Sequence, residues 1–148
     1  MKKHVRILSV LFIVIALVFS VAACKKDDDK KDDKTSSQSK VNGKTYVLES
    51  YTVDGEDGME LLNAMYKEQS FAFKDDGVCV QTIIWADDMA EVMGSDPLEQ
   101  KGTYQENGNT VKVTFKMDGE EDTVMEFTID SNTIKLVEDG STTVYKQK

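Results

Sequence analysis

The chain is poor in the side chains that most enzymes use for acid–base and anion chemistry. Its 148 residues include one histidine, His4, and one arginine, Arg6. Histidine titrates near neutral pH and is common in nucleophilic and zinc sites, and arginine clamps carboxylates and phosphates at two points. Beyond residue 6 the sequence therefore excludes these sites and indicates a protein that is not an enzyme. A hydrolase that uses carboxylates stays open as the least favoured alternative.

Cysteine and proline are equally scarce. The two cysteines are Cys24 and Cys79, and the single proline is Pro97. This count excludes a secreted fold held by several disulfides. Cys79 lies between two valines in a strand-like segment, which favours a small buried hydrophobe over a reactive thiol.

The amino end has the pattern of an export signal, residues 1–23. A cationic head, Met1–Arg6, precedes an apolar run that only two serines interrupt before Ala23. The last four positions, Val21–Cys24, resemble the lipobox of bacterial lipoproteins. This resemblance implies cleavage between Ala23 and Cys24, and a diacylglyceryl group on the Cys24 thiol. The alternative is an uncleaved membrane span, for which the run is at the short end of the required length of about 20 residues.

Residues 24–42 are predicted to be the lipidated cysteine and a disordered, charged tether. Residues 25–40 contain no apolar side chain, so this segment has nothing to bury in a core. The five lysines and five aspartates of residues 25–34 cancel in charge. Chelation of a metal by these aspartates is the alternative, and we favour the tether.

The rest of the chain is predicted to be one acidic domain, residues 43–148, with its folded part beginning near Val41. The whole chain carries −9, of which residues 1–6 contribute +3 and residues 25–34 contribute nothing, so the remainder carries −12. Such a charge argues against nucleic acid and against direct docking on anionic lipid. The expected contact with the membrane is the lipid on Cys24. No cofactor is indicated, and the oligomeric state stays open.

The domain alternates apolar and polar residues between turns rich in glycine, aspartate and asparagine, which predicts antiparallel hairpins. The predicted strands are Lys44–Val53, Gln69–Lys74, Val78–Trp85, Leu98–Gln105, Thr110–Met117, Asp122–Ile129, Thr133–Val137 and Thr142–Lys146. One short helix, Met59–Glu68, is predicted between the first two strands, and a helical turn, Asp88–Met93, in the connection Ala86–Pro97. The fold class is therefore all-β, an eight-stranded antiparallel meander or barrel.

This arrangement resembles the lipocalin-like domains of bacterial lipoproteins. The resemblance is carried by Gly43, Tyr46, Phe71, Phe73, Asp76-Gly77, Gly102-Thr103-Tyr104, Gly108-Asn109, Gly140 and Tyr145. True lipocalins open with Gly-x-Trp, whereas here the aromatic residue is Tyr46 and the spacing is one residue longer. The resemblance implies a cup or barrel that holds a small apolar molecule, and it implies no catalytic residues.

One group of residues is the candidate ligand-binding site. Its members are Trp85, Met89, Val92, Met93, Tyr46 and Tyr104. Trp85, the only tryptophan, ends a strand before the longest connection, whose methionines and valine form a soft apolar rim in this interpretation. The alternative, which we favour for Trp85 and this connection, is that they plug one end of the core.

The acidic turns are a second candidate, because calcium prefers clustered carboxylate oxygens. None of them has the spacing of the twelve-residue calcium loop, and aspartate and glycine are ordinary turn formers. We therefore predict solvated turns and no metal site.

The sequence thus predicts a lipid-anchored protein on the outer face of the cell membrane that binds a small apolar or amphipathic ligand without catalysis. The alternative is a surface module that binds or inhibits another protein. The first hypothesis predicts a barrel that is open and largely apolar near Trp85, and the second predicts a barrel filled by its own side chains.

Overall fold

The computed structural model describes residues 38–148. The predicted signal peptide, Cys24 and the tether up to residue 37 lie outside the described residues. The strands are β1 (Thr45–Val53), β2 (Glu56–Asp57), β3 (Tyr66–Phe73), β4 (Val78–Trp85), β5 (Leu98–Asn107), β6 (Thr110–Phe115), β7 (Thr123–Asp130), β8 (Thr133–Glu138) and β9 (Ser141–Gln147). The helices are α1 (Met59–Met65) and α2 (Asp87–Met93).

Eight of the strands form a closed antiparallel barrel. From β3 to β9 each strand pairs with the next one along the chain, and β1 closes the sheet. The beginning of β1 pairs with β3, from Thr45 opposite Ala72, while most of its length pairs with β9, from Tyr46 opposite Gln147. The two-residue strand β2 only folds back on the end of β1. The predicted eight-stranded antiparallel barrel is therefore confirmed.

Both helices lie where the sequence predicts helical structure, and they differ from the prediction in their bounds. Helix α1 ends at Met65, three residues before the predicted end, because Tyr66 already pairs with Trp85 in the sheet. The predicted helical turn Asp88–Met93 is the helix α2, which begins one residue earlier, between β4 and β5. Two aspartates in the first turn of α2 interact favourably with the helix dipole, and Gly94 ends this helix with a φ of 103°. Neither of these seven-residue helices is long and apolar enough to cross a membrane.

The core occupies the end of the barrel at which β1 begins, which we call the closed end. The hairpin turns after β3, β5 and β7 lie at this end, while α1, α2 and the turns after β6 and β8 lie at the opposite end, the mouth. The fully buried side chains toward the closed end include Tyr46, Phe71, Phe73, Cys79, Val111, Val113, Phe127 and Ile134, and Phe115 at the other end of β6 is buried as well. Strand β6 alternates as predicted, with Val111, Val113 and Phe115 inward and Lys112 outward.

Six aromatic rings from five strands meet in this core. Phe71 contacts Phe127 and Tyr145 edge to face, with ring centroids 5.1 and 5.0 Å apart. Phe73 makes the same kind of contact with Tyr46 at 5.8 Å and with Tyr104 at 5.0 Å. Edge-to-face pairs add about 0.5–1.5 kcal/mol each to the area that they bury. The cluster thus ties β1, β3, β5, β7 and β9 together across the barrel.

The segment before β1 covers the closed end. Val41 is fully buried in the core. The amide of Lys40 donates a 2.6 Å hydrogen bond to a carboxylate oxygen of Glu106, and the amide of Gly43 donates to the carbonyl of Phe73. These bonds hold the segment across the barrel end.

Replacement of Gly102 tests the close packing of β5 against β6. A Cβ at this position lies 2.5 Å from the carbonyl oxygen of Thr114 and 2.7 Å from the ring of Phe115. We expect Gly102→Ala to lower the free energy of unfolding by about 1–3 kcal/mol, because the added methyl group overpacks the core. The control is Thr103→Ala at the exposed neighbouring residue, which should change the free energy of unfolding by less than about 0.5 kcal/mol. Equal denaturation midpoints for the two variants would contradict this packing.

Candidate ligand-binding site at the barrel mouth

The inward side chains near the mouth are less buried than those at the closed end. The strand registers place the following side chains near the mouth on the same face of the sheet as the core residues: Tyr66, Gln69, Gln81, Ile83, Trp85, Leu98, Gln100, Thr123, Met125 and Thr143. Gln69 is buried, Leu98 is half exposed, and the others are half-buried. The inward side chains of this half are therefore less completely shielded from solvent than those of the core.

Strand β4 shows the two faces in adjacent residues. Ile83 is opposite Gln69 on β3 and Leu98 on β5, all three on the inward face, whereas Ile84 is opposite Glu68 on the outward face. Trp85 is again inward and stacks at a tilt on Tyr66, with ring centroids 5.4 Å apart. Both rings are half-buried. The accessible interior is therefore lined by apolar and aromatic side chains at this wall.

Helix α1 covers one side of the mouth. The chain approaches β1 so closely at Gly58 that a Cβ there would lie 2.7 Å from the ring of Tyr51. The amide of Gly58 donates to the carbonyl of Tyr51, and Leu62 is the buried residue of the helix. Tyr51 is consequently shielded.

Helix α2 lies beside α1 at the mouth, since the amide of Ala86 donates a hydrogen bond to the carbonyl of Met65. Met89 is half-buried, whereas Val92 is 81% exposed and Met93 is 55% exposed. Leu98, which enters β5 just after the helix, is 50% exposed. The sequence interpretation that these residues plug the core does not fit Val92 and Met93, since their side chains face solvent. Both side chains are exposed on α2, the helix that follows Trp85 in the chain.

Polar groups lie at the floor and the edge of the accessible half. The hydroxyl of Tyr145 donates a 3.1 Å hydrogen bond to Oε1 of Gln69, and this buried pair separates the aromatic core from the open half. Burial raises the pKa of Tyr145, with smaller contributions from Tyr66 and Glu138. Glu138 is an exposed residue at the end of β8, where partial desolvation together with Asp139 raises the pKa of its carboxyl above the ordinary value.

Two of the predicted site residues lie away from the mouth. Tyr46 is fully buried at the closed end, and within residues 38–148 its hydroxyl has no hydrogen-bond partner. The hydroxyl of Tyr104 donates to the carbonyl of Lys74 at 2.9 Å, in the turn after β3. The predicted set is therefore not brought together, because Tyr46 lies at the beginning of β1 and Tyr104 near the end of β5, both at the closed end, while Trp85 ends β4 at the mouth.

The two ends of the barrel differ strongly in charge. The mouth connections, residues 54–65, 86–97, 116–122 and 138–140, hold four, four, four and two carboxylates, against one lysine, Lys116. At the closed end, residues 38–44, 74–77 and 148 hold four lysines and two aspartates. A concentration of one sign at an opening attracts ligands of the opposite sign.

The described residues provide no metal centre. No group of three or more histidine, cysteine, aspartate or glutamate side chains in residues 38–148 is placed to hold a metal ion. The carboxylates of the acidic turns are thus dispersed around the mouth.

The sequence interpretation missed most of the lining of the open half. Tyr66, Gln69 and Ile83 were assigned only to a helix or to strands, and Glu138 only to a turn. The signal that identifies them is the alternation along β4 and β8, once the register with the neighbouring strands is known.

Comparisons with known proteins agree with this architecture. The family model described as a lipocalin-like domain matches residues 41–136. Among solved structures, a lipocalin-like protein from Bacteroides uniformis ATCC 8492 aligns with a TM-score of 0.49 and 11% identity, covering 74% of this chain and 100% of that chain. The comparison with curated proteins found no match.

The reactivity of Cys79 tests the burial of the core beside the site. The thiol is fully buried, and burial raises its pKa to about 12. At about pH 8 only about one such thiol in ten thousand is ionised. We expect Cys79 in a Cys24→Ser chain to resist a disulfide reagent in the native state and to react fully in denaturant. Rapid stoichiometric labelling of the native chain would show that the core is open.

Proposed function

We propose that this chain, which belongs to the lipocalin-like domain family, binds a small apolar or amphipathic ligand in the open half of its barrel. The observation that supports the proposal is the difference in burial between inward side chains at the two ends of the barrel. Side chains at the closed end are fully buried, whereas Ile83, Trp85 and Met125 are inward yet half-buried. A ligand that covers this apolar surface removes it from water, and this burial contributes binding free energy.

The size of this gain is sufficient for useful affinity. Each square ångström of apolar surface removed from water contributes about 25 cal/mol. A single alkyl chain placed against Trp85, Tyr66 and Ile83 therefore gains several kcal/mol before the cost of losing its own freedom. The adaptable methionines at positions 89 and 93 suit a ligand whose exact shape varies.

We also propose that the protein acts without catalysis. Residues 38–148 contain neither histidine nor arginine, and their one cysteine is buried. The one inward carboxylate of the open half is Glu138, so a pair of carboxylates for hydrolysis is not assembled on the described inward faces. The arrangement supports binding.

We propose, from the lipobox, that the protein is anchored outside the cytoplasmic membrane by a diacylglyceryl group on Cys24. Two acyl chains hold a protein firmly at a membrane, whereas one chain holds it only marginally. In this proposal residues 25–37 link the lipid to the barrel, which the chain enters at its closed end.

The second candidate is a surface module for another protein. Exposed apolar side chains on the outer wall, Val137 at 61% and Val124 at 38%, favour this function. It also requires a filled barrel, and the half-buried inward residues near the mouth count against that requirement. We therefore prefer ligand binding.

A matched pair of substitutions on β4 tests the ligand site. We expect the purified chain to bind the neutral single-chain probe dodecyldimethylamine oxide below its micelle concentration, with a change in Trp85 emission. Ile83→Ala should weaken binding by about 1–2 kcal/mol, or about fivefold to thirtyfold, because an inward apolar contact is lost. Ile84→Ala, on the outward face, should leave the affinity unchanged. Equal losses in both variants, or no binding at all, would disprove the site.

A single substitution tests the anchor. Cells that express the chain and grow with labelled palmitate should incorporate the label, and the chain should fractionate with membranes. Cys24→Ser should abolish labelling, because the lipid needs the thiol, and should release the domain or leave its signal uncleaved. Cys79→Ser is the control and should keep the label. Labelling that persists in Cys24→Ser would refute this anchor.

A further inference from the structure

We propose that the closed end of the barrel holds a buried water molecule that joins the hydroxyl of Tyr46 to the carboxylate of Glu106. This site lies at the opposite end of the barrel from the proposed ligand site, and it depends neither on ligand binding nor on the anchor. Three features of the described residues support it: a buried hydroxyl without a partner, a carboxylate close to it, and a chain segment that encloses both.

The hydroxyl of Tyr46 is the one side-chain polar group among residues 38–148 that is buried and makes no hydrogen bond. The tyrosine is fully buried, and its ring packs edge to face on Phe73. The two other tyrosine hydroxyls of the core are paired, since Tyr145 donates to Gln69 and Tyr104 to the carbonyl of Lys74. A buried donor without a partner destabilises the folded state, and nearly all such groups in native proteins bond to the chain or to ordered water.

Glu106 is the acceptor that lies near this hydroxyl. It shares the inward face of β5 with Tyr104 and is opposite Val111, which is fully buried. The ring of Tyr104 contacts Phe73, the same ring on which Tyr46 packs. Burial raises the pKa of the Tyr46 hydroxyl, and the charge of Glu106, alone among the described charged groups, raises it further. The hydroxyl and the carboxylate are therefore neighbours inside the closed end.

The two groups are close without being directly bonded. Glu106 accepts hydrogen bonds from the hydroxyl of Ser39 and the amide of Lys40, whereas the hydroxyl of Tyr46 donates to no described residue. Polar groups that interact across more than about 3.5 Å are commonly joined by a water between them. A carboxylate has about four lone-pair sites, so Glu106 can accept from a water while it holds Ser39 and Lys40. The water accepts a hydrogen bond from Tyr46 and donates one to Glu106.

The segment before β1, residues 38–44, encloses the site. Val41 within this segment is fully buried. The amide of Gly43 donates to the carbonyl of Phe73, and the amide of Phe73 donates to the carbonyl of Lys44, so the segment is fixed to β3 beside the site. Waters that are enclosed in this way and held by polar groups are part of the folded structure. The proposed water thus extends the bonds of Ser39 and Lys40 on Glu106 to a tyrosine of the core.

A crystal structure of the chain at a resolution that shows ordered waters tests the site directly. We expect one enclosed water about 2.6–2.9 Å from both the hydroxyl oxygen of Tyr46 and a carboxylate oxygen of Glu106. A Tyr46 hydroxyl that donates directly to the carboxylate would overturn the proposal. A closed end that contains no such water would overturn it as well.

Removal of one hydroxyl gives a second test, in which the sign of the effect decides. Tyr46→Phe should raise the equilibrium constant for unfolding about tenfold, because it removes the hydrogen bond to the water and keeps the ring packing. An unpaired hydroxyl would have the opposite effect, since its removal relieves a buried donor without a partner. An unchanged or smaller constant would therefore contradict the site. The control is Tyr66→Phe at the mouth, whose hydroxyl bonds to no described residue, and it should change the constant by less than about twofold.

A double-mutant cycle assigns the water to Glu106. In a Glu106→Ala chain, Tyr46→Phe should lose most of its effect on unfolding, because the water has lost its acceptor. In a Ser39→Ala chain, which loses one bond of the covering segment but keeps the carboxylate, Tyr46→Phe should keep its full effect. Equal effects of Tyr46→Phe in the parent and Glu106→Ala chains would overturn the role of Glu106. Losses of the same size in both variant backgrounds would assign the effect to the covering segment and overturn it too.

Discussion

The aromatic cluster at the closed end is the interaction on which the rest of the structure depends. Its rings come from β1, β3, β5, β7 and β9, so their contacts cross the barrel and keep opposite walls at a fixed distance. These large side chains fill one end of the interior, whereas the inward side chains near the mouth are less completely buried. The Tyr145–Gln69 hydrogen bond marks the division.

Local patterns predicted the strands well because alternation and turn residues are local properties. The bounds of β4 agree at both ends, and the turn at Asp75-Asp76-Gly77 forms with Gly77 at a φ of 77°. The predicted helix ran into β3 because Tyr66 fits the apolar face of a helix as well as it fits a strand. Pairing with Trp85 decided between them, and such pairing is not visible in a local window.

The candidate site was predicted only in part, for a related reason. Trp85 and the α2 residues were recognised from their place beside a long connection. Tyr46 and Tyr104 were added because they are aromatic, and nothing in the sequence states at which end of a barrel a ring will lie. The position of Glu138 in the sheet depends on the register of β8 with β9, which a glutamate before a turn does not indicate.

The two ends of the barrel differ both in charge and in how tightly their side chains are packed. The end that is filled with aromatic rings carries the lysines, and the end that is open carries the carboxylates. Val41 and the Glu106 contacts cover the closed end.

The pairing of β1 with β9 has a consequence for how the molecule forms. Tyr46 is opposite Gln147, so the contact that closes the sheet joins residues separated by nearly the whole domain. Folds dominated by such distant contacts form slowly. Before Ser141–Gln147 are available, β1 and β8 both present open edges, which invite pairing with other chains. Synthesis from the amino end therefore leaves the barrel incomplete until its last strand emerges, and a chain shortened by seven residues would lose the closure of the sheet as well as one strand.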